Sequence, residues 1–390
     1  MEKSKRKSNI MRVREESSLA LKNIKKRRKS KKKQIKISFC LMFSFIIFIC
    51  FLILSSFIFL FKRTIKQKEQ DFIITSSFRK NEYKSDTDNI LKPYIKAQND
   101  FCENPNKYIN QKYEDEIILF DVKLNELKYQ MYVFKAANVI IHDLNRSGAY
   151  EIYMSTNITK ALKFYGEKKN IKNNNDIVFL DIGTNVGWYP SLLGRYGYTI
   201  LGFEAFEKNY YVAKKNYCHL NKDSNVVIIT KGLGAKEKKC LYFNQVKNAG
   251  NGIVICEDNK QRLRNGGLGM MFFKDSEVEV TTLDSFMPYL SNKNIAVMKI
   301  DVEGHELEVL QGGKELITKY HVPFVVLEFS PDYLREVGTA PINLAQFFVD
   351  NGYKITLDGF FSKNFISADE LVRKAGWQVN AYFIHESFYI

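Results

Sequence analysis

The sequence predicts an α/β protein, a doubly wound sheet with helices on both faces, preceded by one transmembrane helix. Three observations carry this. Short apolar runs alternate with helix-spaced apolar residues through the C-terminal half, a glycine-punctuated turn follows the first of those runs, and one long uncharged stretch lies near the N-terminus.

The apolar runs 177–182, 199–203, 226–229, 295–300 and 322–329 are short and apolar almost throughout, as central strands covered on both faces must be. After the second run, Phe206, Tyr210, Ala213, Tyr217 and Leu220 recur at helical spacing; after the fourth, Leu307, Leu310 and Ile317 do so. Two strand-like runs, 353–357 and 380–385, are placed to close the sheet as an antiparallel pair. Upstream, 117–122 and 129–134 read as strands around the turn-prone Lys123-Leu124-Asn125-Glu126.

The uncharged stretch runs from residue 37 to 61, 25 residues bounded by Lys36 and by Lys62-Arg63. At helical rise it is roughly 37 Å long, enough to cross a hydrocarbon core of about 30 Å with some tilt. A cleaved signal peptide is the competing reading, but its apolar region is shorter, about 7–15 residues. Residues 1–36 hold 16 Lys/Arg against three acids, a local charge of +13 out of +16 for the chain, so the remainder is nearly neutral at +3. That removes the composition-level argument for nucleic-acid binding by the folded part. Eight basic residues in the nine positions 25–33 precede the span and set the N-terminus in the cytosol, with everything after residue 62 on the other side. The expected organisation is a basic tail (1–36), the span (37–61), a polar stem (62–112), an N-terminal cap (113–175) and a catalytic domain (176–390).

Of six cysteines, Cys40 and Cys50 lie in the span, leaving Cys102, Cys218, Cys240 and Cys256 to pair in any of three ways. No Cys-x-x-Cys spacing or histidine cluster points to a metal. Sequons at Asn145 and Asn157 are compatible with a lumenal domain.

The chemistry centres on Asp181-Ile182-Gly183-Thr184-Asn185-Val186-Gly187, a strand entering a tight turn. Gly183 and Gly187 let backbone approach a ligand, and Glu204 closes the next strand at the spacing where nucleoside-binding folds place a carboxylate on ribose hydroxyls. A dinucleotide is the alternative ligand. The turn lacks the adjacent Gly-x-Gly, however, and Asp181 would repel a diphosphate while suiting an ammonium group, which favours S-adenosylmethionine. A second strand-turn-helix block runs from Val297 through Lys299-Ile300-Asp301-Val302-Glu303-Gly304-His305-Glu306 to Gly312-Gly313.

With Val280-Thr281-Thr282-Leu283-Asp284-Ser285-Phe286 before the second block and Val326-Leu327-Glu328-Phe329 after it, residues 115–385 resemble the FkbM-type methyltransferase family. The resemblance implies a Rossmann-like, class I methyltransferase sheet of seven strands in the order 3-2-1-4-5-7-6, S-adenosylmethionine as donor, and O-methylation as the usual reaction. It places the cofactor on Asp181, Gly183, Asn185, Gly187 and Glu204.

Candidates for a general base near the methyl group are Asp301, Glu303 and His305, with helix capping the competing role for Glu303 and plain exposure for His305. Trp188 and Tyr189 line the ligand or pack beneath the sheet. Asn248-Ala249-Gly250-Asn251-Gly252 and the stretch 257–275 form a substrate lid or are disordered. The expected protein is a single-pass type II membrane protein of the endoplasmic reticulum or Golgi with a lumenal catalytic domain. Its acceptor is a hydroxyl on a glycan or small metabolite, and its oligomeric state is open. The alternative is a non-catalytic, membrane-anchored scaffold that keeps the fold.

Overall fold

The structure, a computed structural model, describes residues 89–135, 139–220, 224–245, 248–256 and 272–389. The basic tail, the membrane span, most of the stem and residues 257–271 of the expected lid lie outside these. Among the described residues no helix is long and apolar enough to cross a membrane.

In chain order the elements are α1 (Lys92–Glu103), α2 (Gln111–Glu114), β1 (Ile117–Leu124), β2 (Leu127–Phe134), α3 (Val139–Ser147), α4 (Ile152–Lys168), β3 (Ile177–Ile182), α5 (Trp188–Arg195), β4 (Thr199–Phe203), α6 (Glu207–Tyr217), β5 (Val226–Ile229), β6 (Gly232–Leu233), β7 (Lys238–Gln245), β8 (Asn248–Ile255) and β9 (Phe272–Thr281). There follow α7 (Met287–Leu290), β10 (Asn294–Ile300), α8 (Glu306–Gly312), β11 (Phe324–Phe329), α9 (Pro331–Glu336), α10 (Pro341–Asp350), β12 (Tyr353–Thr356), α11 (Ala368–Lys374) and β13 (Val379–His385).

The main sheet has seven strands in the order β12-β13-β11-β10-β3-β4-β5. The five inner apolar runs pair in parallel, and β13 runs antiparallel to both β11 and β12. Numbered by their sequence within this sheet, the strands follow the expected 3-2-1-4-5-7-6. β3, β4, β5 and β11 have no exposed position, because apolar clusters cover both faces of the sheet.

Three expectations change. Residues 92–103 are not stem but a helix: Ile95, Gln98 and Phe101 are buried, and Cys102 is disulfide-bonded to Cys218. Gln98 donates from Nε2 to the Val226 carbonyl (3.2 Å) and accepts from the Ile228 N–H (2.6 Å). One side chain thus occupies the hydrogen-bonding positions of a neighbouring strand on β5, protecting a sheet edge that would otherwise present unpaired amides. A polar residue on an amphipathic helix carries no local sign of this contact.

The second change is the segment between β5 and β10, which holds a four-stranded sheet in the order β6-β9-β7-β8. Residues 248–255 and 272–275 are therefore strand rather than loop, and the disulfide Cys240–Cys256 ties β7 to the end of β8. Glycine and asparagine disfavour strands by propensity, so ladder pairing with β7 overrides the local preference here. Third, Asn157 is buried in α4, where its amide donates to the Tyr153 carbonyl and packs against Gly359. It is closed to glycosylation in the folded chain, whereas Asn145 is exposed.

Candidate active site

At the carboxyl ends of β3 and β4 the turn is fixed by backbone geometry. Gly183 (φ 83°), Asn185 (φ 53°) and Gly187 (φ 83°) are all left-handed. A Cβ on Gly183 would sit 1.8 Å from the Asp301 carbonyl oxygen, so the two blocks touch through a position only glycine can fill. The N–H groups of Gly183 and Thr184 both donate to the Phe203 carbonyl, lashing the turn to β4 (3.0 and 2.9 Å).

Glu204 accepts from the Asn185 N–H (2.6 Å) on one oxygen and the Phe206 N–H (2.8 Å) on the other. Each oxygen retains acceptor capacity, and two are left for adjacent hydroxyls. Burial pushes this carboxyl up to about 7, against the pull of those two amides. Asn185 and Asn209, which line the same cleft, each have a buried side-chain oxygen with no hydrogen-bond partner, as a polar ligand's binding wall would before the ligand arrives.

The cleft, about 450 Å³, continues to the ends of β10, β11 and β13, where it is lined by Glu151, Asp301, Glu303, Glu328 and Asn380. Lys299, buried beneath it, donates to Asp301 (2.9 Å). Burial alone would lower the Lys299 ammonium, but Asp301, Asp181 and Glu151 together raise it, so it stays charged. Glu151 is part-buried at the cleft wall, sits at φ 44°, and accepts from the Tyr189 hydroxyl (2.7 Å); desolvation raises its carboxyl. Burial, then Asp301 and Glu303, hold Glu328 well above the usual carboxylate range, and Gln378 donates to it. Asp301, Glu303 and Glu328 offer oxygens within 4.8 Å of one another, a spacing that would suit a hard cation, although no metal was expected from the sequence.

The structure thus brings Gly183, Asn185, Glu204, Asp301 and Glu303 to one cleft and leaves three expected residues off it. Gly187 caps α5 against Ala213. Asp181 has no exposed surface. Its carboxylate has no hydrogen-bond partner, and burial pushes it up to about 7 with Lys299 as the opposing charge. It lies behind the wall where the ammonium-binding role would need it in front. His305 is corrected as a base. It is buried, with Nε2 2.9 Å from the Val254 carbonyl of β8 and Nδ1 3.4 Å from Glu308 of its own helix, so one ring nitrogen ties the start of α8 to β8 and the other is engaged within α8. Trp188 and Tyr189 are buried packing residues, bonded to Ser155 and Glu151. Sequence reasoning missed Glu151 and Asn209, which belong to no motif. Glu328 was quoted within a block but given no role.

Residues 181–355 match the family model described as the methyltransferase FkbM domain. A curated relative, "Methyltransferase 1" of Beauveria bassiana (strain ARSEF 2860), is 27% identical over 146 residues, a stretch spanning 35% of this chain and 58% of that protein's length. Among solved structures, magnesium protoporphyrin IX methyltransferase from Synechocystis PCC 6803 with bound S-adenosylmethionine aligns at TM-score 0.31 and 12% identity, over 64% of this chain and 85% of that one. The bifunctional kinase-methyltransferase WbdD aligns at TM-score 0.34 and 13% identity, over 64% and 43%.

Proposed function

We propose that the protein is an S-adenosylmethionine-dependent O-methyltransferase acting on a hydroxyl of a glycan or small metabolite. The observation that carries it is Glu204, held by two backbone amides with acceptor capacity to spare beside the unpartnered oxygens of Asn185 and Asn209, inside the matched FkbM domain. S-adenosylmethionine would supply an electrophilic methyl on a sulfonium centre. Glu204 would hold the ribose diol, and the turn 183–187 would receive the rest against backbone. The acidic far half favours a cationic donor over a pyrophosphate.

Transfer to oxygen needs the acceptor hydroxyl aligned and its proton removed. Asp301 is placed to take that proton, since it lines the cleft and is held in position by the hydrogen bond from Lys299. Glu303 lines the same wall, and Glu151 and Glu328 position the acceptor by hydrogen bonding. The test is labelled methyl transfer to a lysate fraction. Transfer that vanishes in Asp301→Ala at saturating donor supports the assignment, and full turnover in that variant sinks it. A chain that neither binds nor transfers under any condition favours the non-catalytic scaffold.

The two disulfides support a lumenal, secretory-pathway location, since such bonds persist in oxidising compartments. With the uncharged stretch 37–61 and the basic run before it, this favours a type II membrane protein. Protease protection of a C-terminal tag in sealed microsomes tests it, and digestion there would reverse the topology.

A further inference from the structure

The catalytic cleft does not end at Asp301. A second cavity of about 880 Å³ shares Asp143, Glu151 and Asn380 with it, so the two adjoin across these three side chains. The extension lies between the end of α3, the start of α4 and the turn 358–362.

Its surface is aromatic and exposed. Tyr153 is 60% exposed and Phe361 37%, while Trp377, at the mouth of the catalytic cleft, is 56% exposed. These rings are held. The Tyr153 hydroxyl donates to the Asp358 carbonyl (2.9 Å), Phe361 packs edge-on to Phe164 (centroids 5.6 Å), and Trp377 packs edge-on to Tyr333 (6.2 Å). Fixed rings offer contact area without the entropy cost of ordering on binding. Between them lie polar groups of both signs: Asp143 pairs with Arg146 (3.2 Å), and Asp358 faces the same trough as Lys160. These mixed charges, beside the carboxylates of the adjoining cleft, give no attractive field for a phosphorylated or otherwise anionic ligand.

We propose that the acceptor is a neutral oligosaccharide. One sugar presents its hydroxyl at Asp301 and the following sugars lie along the extension, their apolar faces on Trp377, Tyr153 and Phe361 and their hydroxyls on Asp143 and Asn380. Sugars match this surface because each ring combines a flat C–H face with a rim of uncharged donors and acceptors. The proposal rests on the methyltransferase reading for its first sugar only.

The chain's two tryptophans make it measurable, because Trp188 is buried and bonded to Ser155 while Trp377 stands exposed. Iodide quenching of the full-length protein is followed with mannose and N-acetylglucosamine oligomers of one to six units, and with uncharged hexapeptides. Expected is protection of Trp377 by sugars, tightening about tenfold or more between one unit and four as further rings engage. Tyr153→Ser should lose about that tenfold for the tetramer and leave the monosaccharide unchanged. No protection by any sugar, protection without length dependence, or protection by peptides alone overturns the proposal. A chain that binds sugars by length yet never transfers methyl sinks the methyltransferase reading instead, whereas methyl transfer without sugar protection leaves that reading standing and sinks this one.

Discussion

The two halves of the cleft are built on opposite principles. The half at β3 and β4 is made by backbone: left-handed glycines, amides donating to Glu204, and one carbonyl gripping two successive N–H groups. The half at β10, β11 and β13 is made by side chains, with carboxylates from three separate segments, Glu151, Asp301 and Glu328, around the buried Lys299 ammonium. Backbone geometry is encoded locally and holds one shape, so it suits the part of a ligand that never changes. A side-chain cluster can be altered position by position and can move protons, so it suits the acceptor and the chemistry.

The largest expected effect is in the second half. Lys299→Met removes the charge that Asp181, Asp301 and Glu151 share, and it should cost about 3–5 kcal/mol of stability, read as a lowered thermal midpoint. A variant as stable as the parent would mean that the three carboxylates are already neutral. Gly183→Ala tests the first half. A left-handed site with a carbonyl where the Cβ must go predicts a loss of about 3 kcal/mol or more, together with loss of cofactor binding. Near-wild-type binding there would show that the blocks separate easily.

Glu204→Gln keeps the shape and removes the charge. S-adenosylmethionine binding by calorimetry should weaken by about 1.5–3 kcal/mol, the worth of hydrogen bonds to a charged group. The same residue predicts a pH dependence. Glu204 and Asp181 titrate near 7 in the fold, above their unfolded range, so the stability they contribute when protonated is complete at acid pH and is lost as pH rises through about 7. Cofactor affinity should move the other way, rising between about pH 6 and 8 as the acceptors ionise, and Glu204→Gln should flatten that rise. The smallest effect is His305→Ala. With both ring nitrogens tied to Val254 and Glu308 it should cost about 1 kcal/mol of stability and leave turnover within about twofold. A large fall in turnover at unchanged stability would restore it as a base.

The difference between the halves also explains what could be read in advance. The turn 181–187 and Glu204 were legible because both lie at strand ends set by apolar runs. Asp301 was legible for the same reason. Glu151 was not, since it sits in a left-handed position between two helices, belongs to no motif and reaches the cleft only through the packing of α4. His305 was misplaced because its neighbour Val254 comes from β8, a strand whose asparagine and glycine content hid it.

By itself the sequence determined the apolar strands of the main sheet, the tight turn after β3 and the carboxylate that ends β4, because strand burial and tight turns are written in contiguous residues, while the seven-stranded order came with the family resemblance. Only the tertiary structure decided which cysteines pair, how Gln98 closes the sheet edge, that Asp181 stands behind the wall, and which acids meet around Lys299. Cys102 and Cys218 are 116 positions apart and Gln98 and Ile228 130, and local patterning carries no record of such partners.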